Sequence, residues 1–569
     1  MLSREPIAIV GIGGVFPGAP TPTALWRNIL AGRDTCAETA ADRWIAPASA
    51  LLNPTLAPDS VYSTRACLCE ALEIPTDSYD LDPRLVQSLD PVFHFALEAG
   101  NQAWRDAGAT STDKTRCGVA LAAIALPTDG ASRLTRLTRA ASNELDLFPN
   151  GANAQEPTTR EWLNAYAVGG PAALLAASLG IGGGAFTLDA ACASSLLAVE
   201  QAIDQLRNGT SDVALAGAIQ LSTPGPVYSG FSLIGALSPS GTLAPFSEGS
   251  DGTLLGQGAG MIVLKRLGDA ERDGNRIYAL IKDVGTSSDG KGAGLLAPLS
   301  RGQAKAIRRA YEKSGVDPDT IELVEAHATG IPLGDATELQ SLDTCLPDHA
   351  GAPRVAIGSC KSNIGHMIPA SGMASIMKTA FALYHRVLPP QGTSAPPREK
   401  LGLERTRFYL NTELRPWVHG TAAPRRAAID SFGFGGINAH GILEEYLPPS
   451  GSESDLERFH RTWPVELVVL SAPDRASLAA SVAALSSWID ALPADAELEL
   501  LDVAAACARV DGASRVAIVA KDLAELRRKL DVVTKRLAEA DRDRIQDRSG
   551  VFWYAEPLAA TSKVALVFP

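Results

Sequence analysis

The chain of 569 residues carries 51 Lys and Arg against 64 Asp and Glu, so its formal charge at pH 7 is −13. Its hydrophobic fraction of 46% and charged fraction of 20% are those of an ordinary globular protein with enough apolar residues for a large core. The acidic balance argues against nucleic acid as a partner, because binding to a phosphate backbone requires clustered positive charge.

The chain begins without the features of a secretory signal, since residues 1–6 lead directly into the short apolar run 7–10. We therefore expect a cytoplasmic protein. Residues 162–188 carry no charged side chain, but Pro171 and the glycines at 182–184 interrupt them, which predicts helix, turn and strand rather than a membrane span. The eight cysteines are scattered without framework or metal-ligand spacing, which indicates packed thiols in a reducing compartment and no metal site.

From residue 1 to about 446, short apolar segments alternate with helical patterns and Gly-rich turns, as in an α/β core whose strands are covered on both faces. Strands are predicted at residues 7–10, 186–188, 213–216, 261–264, 279–281, 321–324 and 355–357. Three glycines, Gly11, Gly13 and Gly14, follow the first of them. Phe16 stands where a dinucleotide fingerprint needs a further glycine, and Pro17 removes a helix N–H, so we expect no NAD site.

Proline, glycine and charged residues at 446–464 indicate a boundary, after which a second, smaller α/β module begins. Its strands are predicted at 467–470 and 515–519, and leucine and valine at helical spacing predict a helix from Leu523 to Leu537. Residues 563–569 look like the first strand of a further domain, so we expect the chain to be a piece of a longer polypeptide.

Cys192 lies at the turn between an apolar strand that ends at Leu188 and a helix that includes residues 196–203. A thiol at a helix N-terminus lies at the positive end of the helix dipole, which favours the thiolate, and small neighbouring residues leave space for an acyl group. Cys192 is therefore a candidate nucleophile. The alternative is a small packed hydrophobic residue, the interpretation that we give to the other seven cysteines.

Two histidines follow predicted strands. His327 comes after the strand at 321–324, and His366 comes after the strand at 355–357, five residues beyond Lys361. Functional side chains collect at strand ends in α/β sheets. Either histidine alone could be structural, but the two together favour a joint site with a nucleophile.

Four ordered segments carry a family resemblance: residues 189–196 around Cys192, 325–335 around His327, the Lys-Ser-Asn-Ile-Gly-His segment 361–366, and the glycine-rich segment 431–440. On these motifs, residues 1–446 resemble the β-ketoacyl synthase (ketosynthase) domain of a type I polyketide synthase or a polyunsaturated fatty acid synthase. Residues 447–562 resemble the linker between a ketosynthase and an acyltransferase, and residues 563–569 the start of a truncated acyltransferase domain. The alanines around Cys192 make this motif more similar to those of polyunsaturated fatty acid and enediyne synthases than to those of common modular polyketide synthases.

The resemblance implies a thiolase-like five-layer α/β fold of two related halves, with a small α/β linker domain, in a homodimer. It implies a decarboxylative Claisen condensation between a Cys-bound acyl chain and a malonyl-type extender. Both substrates would arrive on the phosphopantetheine arm of an acyl carrier protein, so no cofactor or metal would be bound by the chain itself. A downstream acyltransferase domain of the same polypeptide would be a further partner.

The resemblance also assigns residue roles. The catalytic residues would be Cys192, His327, His366 and Lys361. The backbone N–H groups of Cys192 and Phe434 would receive the oxyanion, and Phe434 would gate entry. Substrate-binding residues would be Thr329, Asn363 and Gly435.

Some features depart from the family pattern. Ile331 replaces the usual second hydroxyl beside Thr329, which predicts weaker binding of the arm, and Gln257 stands where glutamate is commoner. No docking coil precedes Glu5, so we expect the domain to start its polypeptide. Two alternatives stay open: a non-elongating ketosynthase-like scaffold, and a thiol hydrolase or simple acyl-transfer domain that uses Cys192 with one histidine.

Overall fold

The computed structural model describes residues 5–556 with short gaps at 45–47, 54, 56, 58–59, 73, 75–78, 109–111, 135–160, 223, 293, 295, 393–394, 421–422, 449–464, 493–497 and 509–511. The predicted start of an acyltransferase at 563–569 and most of the predicted boundary at 446–464 lie outside the described residues. The chain divides into two units, Met1–Leu447 and Pro448–Pro569.

The strands of three or more residues are β1 (Ile7–Val15), β2 (Cys117–Ala122), β3 (Ala185–Leu188), β4 (Val213–Gln220), β5 (Gly258–Arg266), β6 (Ala279–Ser288), β7 (Ile321–Glu325), β8 (Val355–Gly358), β9 (Phe408–Leu410), β10 (Arg426–Gly433), β11 (Ile437–Glu444), β12 (Glu466–Ala472), β13 (Ser514–Ala520), β14 (Arg544–Asp547) and β15 (Val551–Tyr554). The main helices are α1 (Pro22–Leu30), α2 (Pro91–Asp106), α3 (Gly170–Leu179), α4 (Ser194–Arg207), α5 (Ser300–Ser314), α6 (Pro332–Cys345), α7 (Ser371–His385), α8 (Arg475–Asp490), α9 (Leu500–Ala508) and α10 (Leu523–Leu537). Shorter helices span Ala48–Leu51, Pro83–Ser88, Pro226–Leu233, Leu267–Arg272 and Lys361–Ile364.

The sheet of the first unit is built from the same pattern twice. In one half, β2 pairs in parallel with β3 and β4, and β5 and β1 continue the sheet antiparallel. In the other half, β7 pairs in parallel with β8 and β10, and β11 and β6 continue it antiparallel. The strands β1 and β6 join the halves, and β9 extends the second half beside β8. This repeat is the pair of related halves that the resemblance implies.

Helices cover these strands on both faces. The helices α4 and α7 contact each other and strands of both halves. Their apolar side chains and those of strands from both halves form one buried core. Helices α2 and α3 cover the outer face of the first half, whereas α5 and α6 cover that of the second. The outer helices, the first half of the sheet, the central helices, the second half of the sheet and the remaining outer helices form the five layers expected of a thiolase-like fold.

Glycines in β1 allow a helix to approach closely. A Cβ atom at Gly11 would lie 2.3 Å from the carbonyl oxygen of Ala103, and one at Gly13 would lie 2.1 Å from that of Ala99, both in α2. These glycines lie inside β1 rather than after it. Packing against α2 therefore explains a glycine pattern that superficially resembles a nucleotide loop.

The predicted strands of both units and the predicted helix Leu523–Leu537 are confirmed, with the strands extended by a few residues at their ends. Residues 162–188, which lack charge, contain α3 and β3 rather than one long helix. Within the described part of the chain, no helix combines the length and apolar character needed to cross a bilayer.

The second unit has its own antiparallel sheet in the order β12-β13-β15-β14. Apolar side chains from α8, α9 and α10 pack on this sheet and form a separate core that includes Leu478, Val503 and Leu530. The unit is thus a small α/β module, as the resemblance implies.

Two cysteines depart from the expectation of packed thiols. Cys36 and Cys67 form a disulfide, with their Cα atoms 4.2 Å apart. A two-residue ladder pairs Ala37 with Ala66, which places the residues that flank this pair opposite each other. The prediction is therefore wrong for these two, because so short a ladder leaves no periodic signal in the sequence.

Candidate active site

Cys192 lies in a tight turn between β3 and α4. The preceding residue, Ala191, adopts a positive φ of 50°, a strained conformation for a residue with a side chain. Ser194 stabilises the turn, because its hydroxyl accepts from the N–H of Ala190 at 2.7 Å and donates to the carbonyl of Ala191 at 2.6 Å. The hydroxyl of Ser431 donates to the carbonyl of Cys192 at 2.6 Å. The sulfur is thus held by a rigid backbone.

The thiolate that the helix dipole led us to expect is not favoured overall. Burial raises the pKa of the Cys192 thiol to about 11, although the Lys361 ammonium and the N–H groups of Phe434 and Cys192 act in the opposite direction. The expectation is wrong because Cys192 is only 3% exposed, so the cost of burying an anion exceeds the help from nearby positive groups. At pH 7, this balance favours the neutral thiol of Cys192.

His366 is buried next to the sulfur. Its Nε2 lies 3.2 Å from the Sγ of Cys192, and its Nδ1 lies 2.9 Å from the hydroxyl of Ser371 at the start of α7. Its backbone N–H donates to the carbonyl of Leu254 at 2.7 Å. Burial, with the charge of Lys361 added, holds the pKa of His366 well below its usual range, so the imidazole is neutral.

His327 approaches from the other half of the sheet, just after β7. The carboxylate of Glu338 accepts from the N–H groups of His327 and Ala328, both at 2.7 Å, and so fixes the turn in which Ala328 has a positive φ. The rings of His327 and His366 lie edge to face, with centroids 5.5 Å apart. Burial, Lys361 and His366 together hold the pKa of His327 well below its usual range.

The three predicted side chains converge. The sulfur of Cys192 and one ring nitrogen each of His327 and His366 lie within 4.8 Å of one another. Three such atoms could in principle hold a metal ion. The Lys361 ammonium lies close enough to shift the pKa of all three, and this positive charge opposes cation binding.

These residues border a cavity of about 220 Å³ that is mainly apolar at its wall. Thr329, Phe434 and Gly435 line the cavity, and so does Ile331. Phe434 packs on Phe231 with ring centroids 5.9 Å apart. The remaining lining residues include Ile234, Ala236, Asp289, Leu296, Pro298, Gln303, Leu333, Phe432 and Asn438.

Asn363 does not reach this cavity, which corrects its predicted role in substrate binding. The side-chain amide of Asn363 donates to the carbonyl of Arg33 at 3.0 Å, and the backbone carbonyl of Asn363 accepts from the N–H and the hydroxyl of Thr35. Asn363 thus ties the 33–35 loop to the segment that precedes His366. Gln257 is also structural, because its side chain accepts from Arg43 at 2.8 Å and donates to the carbonyl of Ser222.

Sequence reasoning missed two supporting side chains, Glu338 and Ser371. Glu338 follows Asp335 by three residues on α6, and both carboxylates are buried. Burial and the neighbouring Asp430 raise the pKa of Glu338 well above its usual range. Two acidic residues on the inward face of one helix are a signal that could have found Glu338. Ser371 stands in a run of small residues and carries no comparable signal.

Three family models match the chain: the N-terminal domain of β-ketoacyl synthase at residues 4–270, its C-terminal domain at 278–394, and a ketoacyl-synthetase C-terminal extension at 397–513. Among curated proteins, the polyketide synthase PksL of Bacillus subtilis is 33% identical over 88% of this chain and 10% of its own length. A polyunsaturated fatty acid synthase protein of a Thraustochytrium species is 30% identical over 99% of this chain and 21% of its own. The chain therefore spans only a small part of these multidomain relatives.

Solved structures give the same picture. A ketosynthase from module 6 of the bacillaene synthase of Bacillus subtilis matches with a TM-score of 0.68 and 30% identity, over 93% of this chain and 85% of that one. A structure described as the PfaC keto synthase and chain length factor matches with a TM-score of 0.69 and 33% identity, over 82% of this chain and 50% of that one.

Proposed function

The chain belongs to the β-ketoacyl synthase family, whose members are enzymes that form carbon–carbon bonds, and we propose that it condenses a Cys192-bound acyl group with a malonyl-type extender. The observation that carries the proposal is the approach of Cys192 Sγ and the two imidazoles to within 4.8 Å of one another at the wall of an apolar cavity.

The first step is the transfer of an acyl group to Cys192. The sulfur attacks the thioester carbonyl carbon, a new C–S bond forms, and the C–S bond to the incoming thiol breaks. The thiol proton of Cys192 ends on the departing sulfur. The N–H groups of Cys192 and Phe434 both lower the pKa of the Cys192 thiol and so favour negative charge near the sulfur, which supports a role for them in stabilising the tetrahedral oxyanion.

The second step is the loss of CO₂ from the extender. The bond between the carboxylate and the α-carbon breaks, and its electron pair forms an enolate with negative charge on the thioester oxygen. Neutral imidazoles of His327 and His366 can donate a hydrogen bond to this oxygen, and their lowered pKa values keep them neutral at pH 7. The enolate carbon then attacks the Cys192 thioester, and the released thiolate takes up one proton.

We further propose that both substrates arrive on the phosphopantetheine arm of an acyl carrier protein. The apolar wall of the cavity suits a long, thin arm, and Thr329 and Gly435, which line the cavity, would contact it. Residues 447–562 would then link this domain to an acyltransferase of the same polypeptide, and the protein would work in the cytoplasm.

We also propose a homodimer formed at β3, the edge strand of the sheet. Phe186 of this strand is 36% exposed, and Trp162 and Tyr166, which precede α3, are exposed as well. An exposed apolar edge strand is suited to pair with a second copy. Analytical ultracentrifugation should give a dimer that Phe186→Asp dissociates, whereas Phe552→Asp, at a comparably exposed phenylalanine of the second unit, should remain dimeric.

Intact-protein mass spectrometry tests the catalytic proposal. An acyl-carrier thioester should add its acyl group to the protein but not to Cys192→Ala, and added malonyl-carrier should then yield a β-ketoacyl product and CO₂. His366→Ala should still acylate but should fail to decarboxylate. Absence of any adduct would favour a scaffold, and an adduct that only hydrolyses would favour an acyl-transfer domain, so either result would refute the condensation.

A further inference from the structure

Ser371, the first residue of α7, connects the loop of His366 to the helix behind it. Its hydroxyl oxygen lies 2.8 Å from the backbone nitrogen of Met367 and 2.9 Å from Nδ1 of His366. The side chain is 1% exposed. Ser371 lies on the side of the imidazole opposite to Cys192 and does not line the cavity.

The hydrogens at this junction can be assigned by counting donors and acceptors. The N–H of Met367 can only donate, so the Ser371 oxygen accepts from it. The hydroxyl has one hydrogen, and among the described residues Nδ1 of His366 is the acceptor within reach. Nδ1 therefore accepts, and because the imidazole is neutral, its single N–H is at Nε2, which faces the sulfur at 3.2 Å.

We propose that Ser371 is a positioning residue that locks His366 in the Nε2–H tautomer, so that this ring acts only as a hydrogen-bond donor at the reacting atoms. The consequence for turnover rests on the proposed condensation. In that reaction, a fixed donor would stabilise the enolate oxygen and could not take the thiol proton of Cys192 at Nε2.

His327 and His366 then differ in the hydrogen-bond partner of Nδ1. Nδ1 of His327 is buried and has no hydrogen-bond partner among the described residues. Among the described residues, no side chain therefore fixes the tautomer of His327 through Nδ1, whereas Ser371 fixes that of His366.

The loop of His366 has other supports, so the effect of Ser371 can be separated from folding. His366 donates its N–H to Leu254, and the hydroxyl of Ser195 donates to the carbonyl of Pro369. Ile368 has a positive φ of 45°, which these contacts hold in place. Loss of the Ser371 hydroxyl should thus change the tautomer more than the position of the ring.

Nitrogen NMR of the protein with ¹⁵N-labelled histidine reads the tautomer directly, whether or not the protein elongates. We expect an unprotonated Nδ1 and a protonated Nε2 for His366 in the wild type, with the signal assigned by His366→Gln. The same pattern should persist in Ser371→Thr and weaken to a tautomer mixture in Ser371→Ala. A protonated Nδ1 in the wild type would overturn the proposal.

Kinetics test the consequence. Ser371→Ala should slow decarboxylation on the order of 10- to 100-fold, the scale of loss when a metal-bound histidine loses the hydrogen-bond partner that orients it. KM for malonyl-carrier should stay unchanged, because Ser371 touches no substrate, and Ser371→Thr should restore the rate. The matched control is Thr379→Val on the same helix, where the lost hydroxyl is buried and has no described partner. An unchanged rate in Ser371→Ala would refute the positioning role, whereas failure of the wild type itself to decarboxylate would refute the condensation and leave the NMR result standing.

Discussion

The protonation state of Cys192 can be measured through its alkylation rate as a function of pH. The thiolate is the form that reacts, so the rate follows the thiolate fraction. A thiol with a pKa of about 11 gains ~300-fold in thiolate between about pH 7 and about pH 9.5, whereas an ordinary cysteine with a pKa of ~8.5 gains ~30-fold. Limited access to the buried sulfur lowers the alkylation rate by the same factor at both pH values, so it does not change this ratio.

The assay treats the protein with iodoacetamide over this pH range and quantifies, by mass spectrometry, the peptide that contains Cys192. Lys361→Met provides the perturbation, because the Lys361 ammonium is the largest influence that lowers the pKa. Its removal should raise the pKa further, and each half-unit rise lowers the thiolate fraction about threefold at a fixed pH.

A profile that levels off near or below pH 8 would refute the reasoning, since it would mean that the positive groups outweigh burial. A faster reaction in Lys361→Met would do the same, because it would show that the ammonium does not favour the thiolate. The expected steep profile would instead mean that acylation must move a proton, and that the enzyme does not store a reactive anion at rest.

Three further predictions concern the backbone around the site. Gly433→Ala should lower the free energy of unfolding by about 1–3 kcal/mol and slow acylation, because a Cβ there would lie 2.9 Å from the carbonyl of Ala190. Gly420→Ala, with open space around it, should change neither quantity. Equal denaturant midpoints and acylation rates in the two variants would contradict this prediction. Glu338→Ala should lower the free energy of unfolding by about 2–6 kcal/mol, because it leaves two buried N–H groups without an acceptor and each such group costs about 1–3 kcal/mol. A smaller loss in chemical unfolding would mean that water replaces the carboxylate. Ile331→Thr should stabilise the protein by about 0.5–1 kcal/mol in the same assay, because Ile331 is the N-cap of α6 and offers no capping oxygen; an unchanged midpoint would show that this helix end needs no cap.

Much of the fold could be predicted because its signals are local. The strands β4, β5 and β7 are short apolar runs between turn residues, and α10 begins and ends at the residues that its leucine spacing predicts. The Cys36–Cys67 disulfide could not be predicted, since it depends on a two-residue ladder between Ala37 and Ala66 that no periodicity announces.

The convergence of Cys192, His327 and His366 could be predicted from the sequence, whereas the residues that support them could not. Cys192, His327 and His366 stand at strand ends, where chemistry-bearing residues are conspicuous. Ser371 and Glu338 act through single hydrogen-bonding atoms whose partners are set by packing. The raised pKa of Cys192 was missed for a similar reason, because the helix dipole can be inferred from sequence, whereas the degree of burial that outweighs it cannot.

The repeated topology explains why Cys192 and His366 meet. Cys192 follows β3 and precedes α4, and His366 follows β8 and precedes α7, which are corresponding positions in the two halves. Because α4 and α7 pack against each other in the central layer, the loops before them face one another.

Lys361 gives the shared site its electrostatic character. Its positive charge lowers the pKa of Cys192 and also lowers the pKa of both histidines, so one ammonium favours anions and disfavours imidazolium ions at the same point. A site of this kind is poorly suited to a histidine that collects protons as a general base. It is well suited to neutral N–H donors, because an enolate oxygen needs such donors around its developing negative charge.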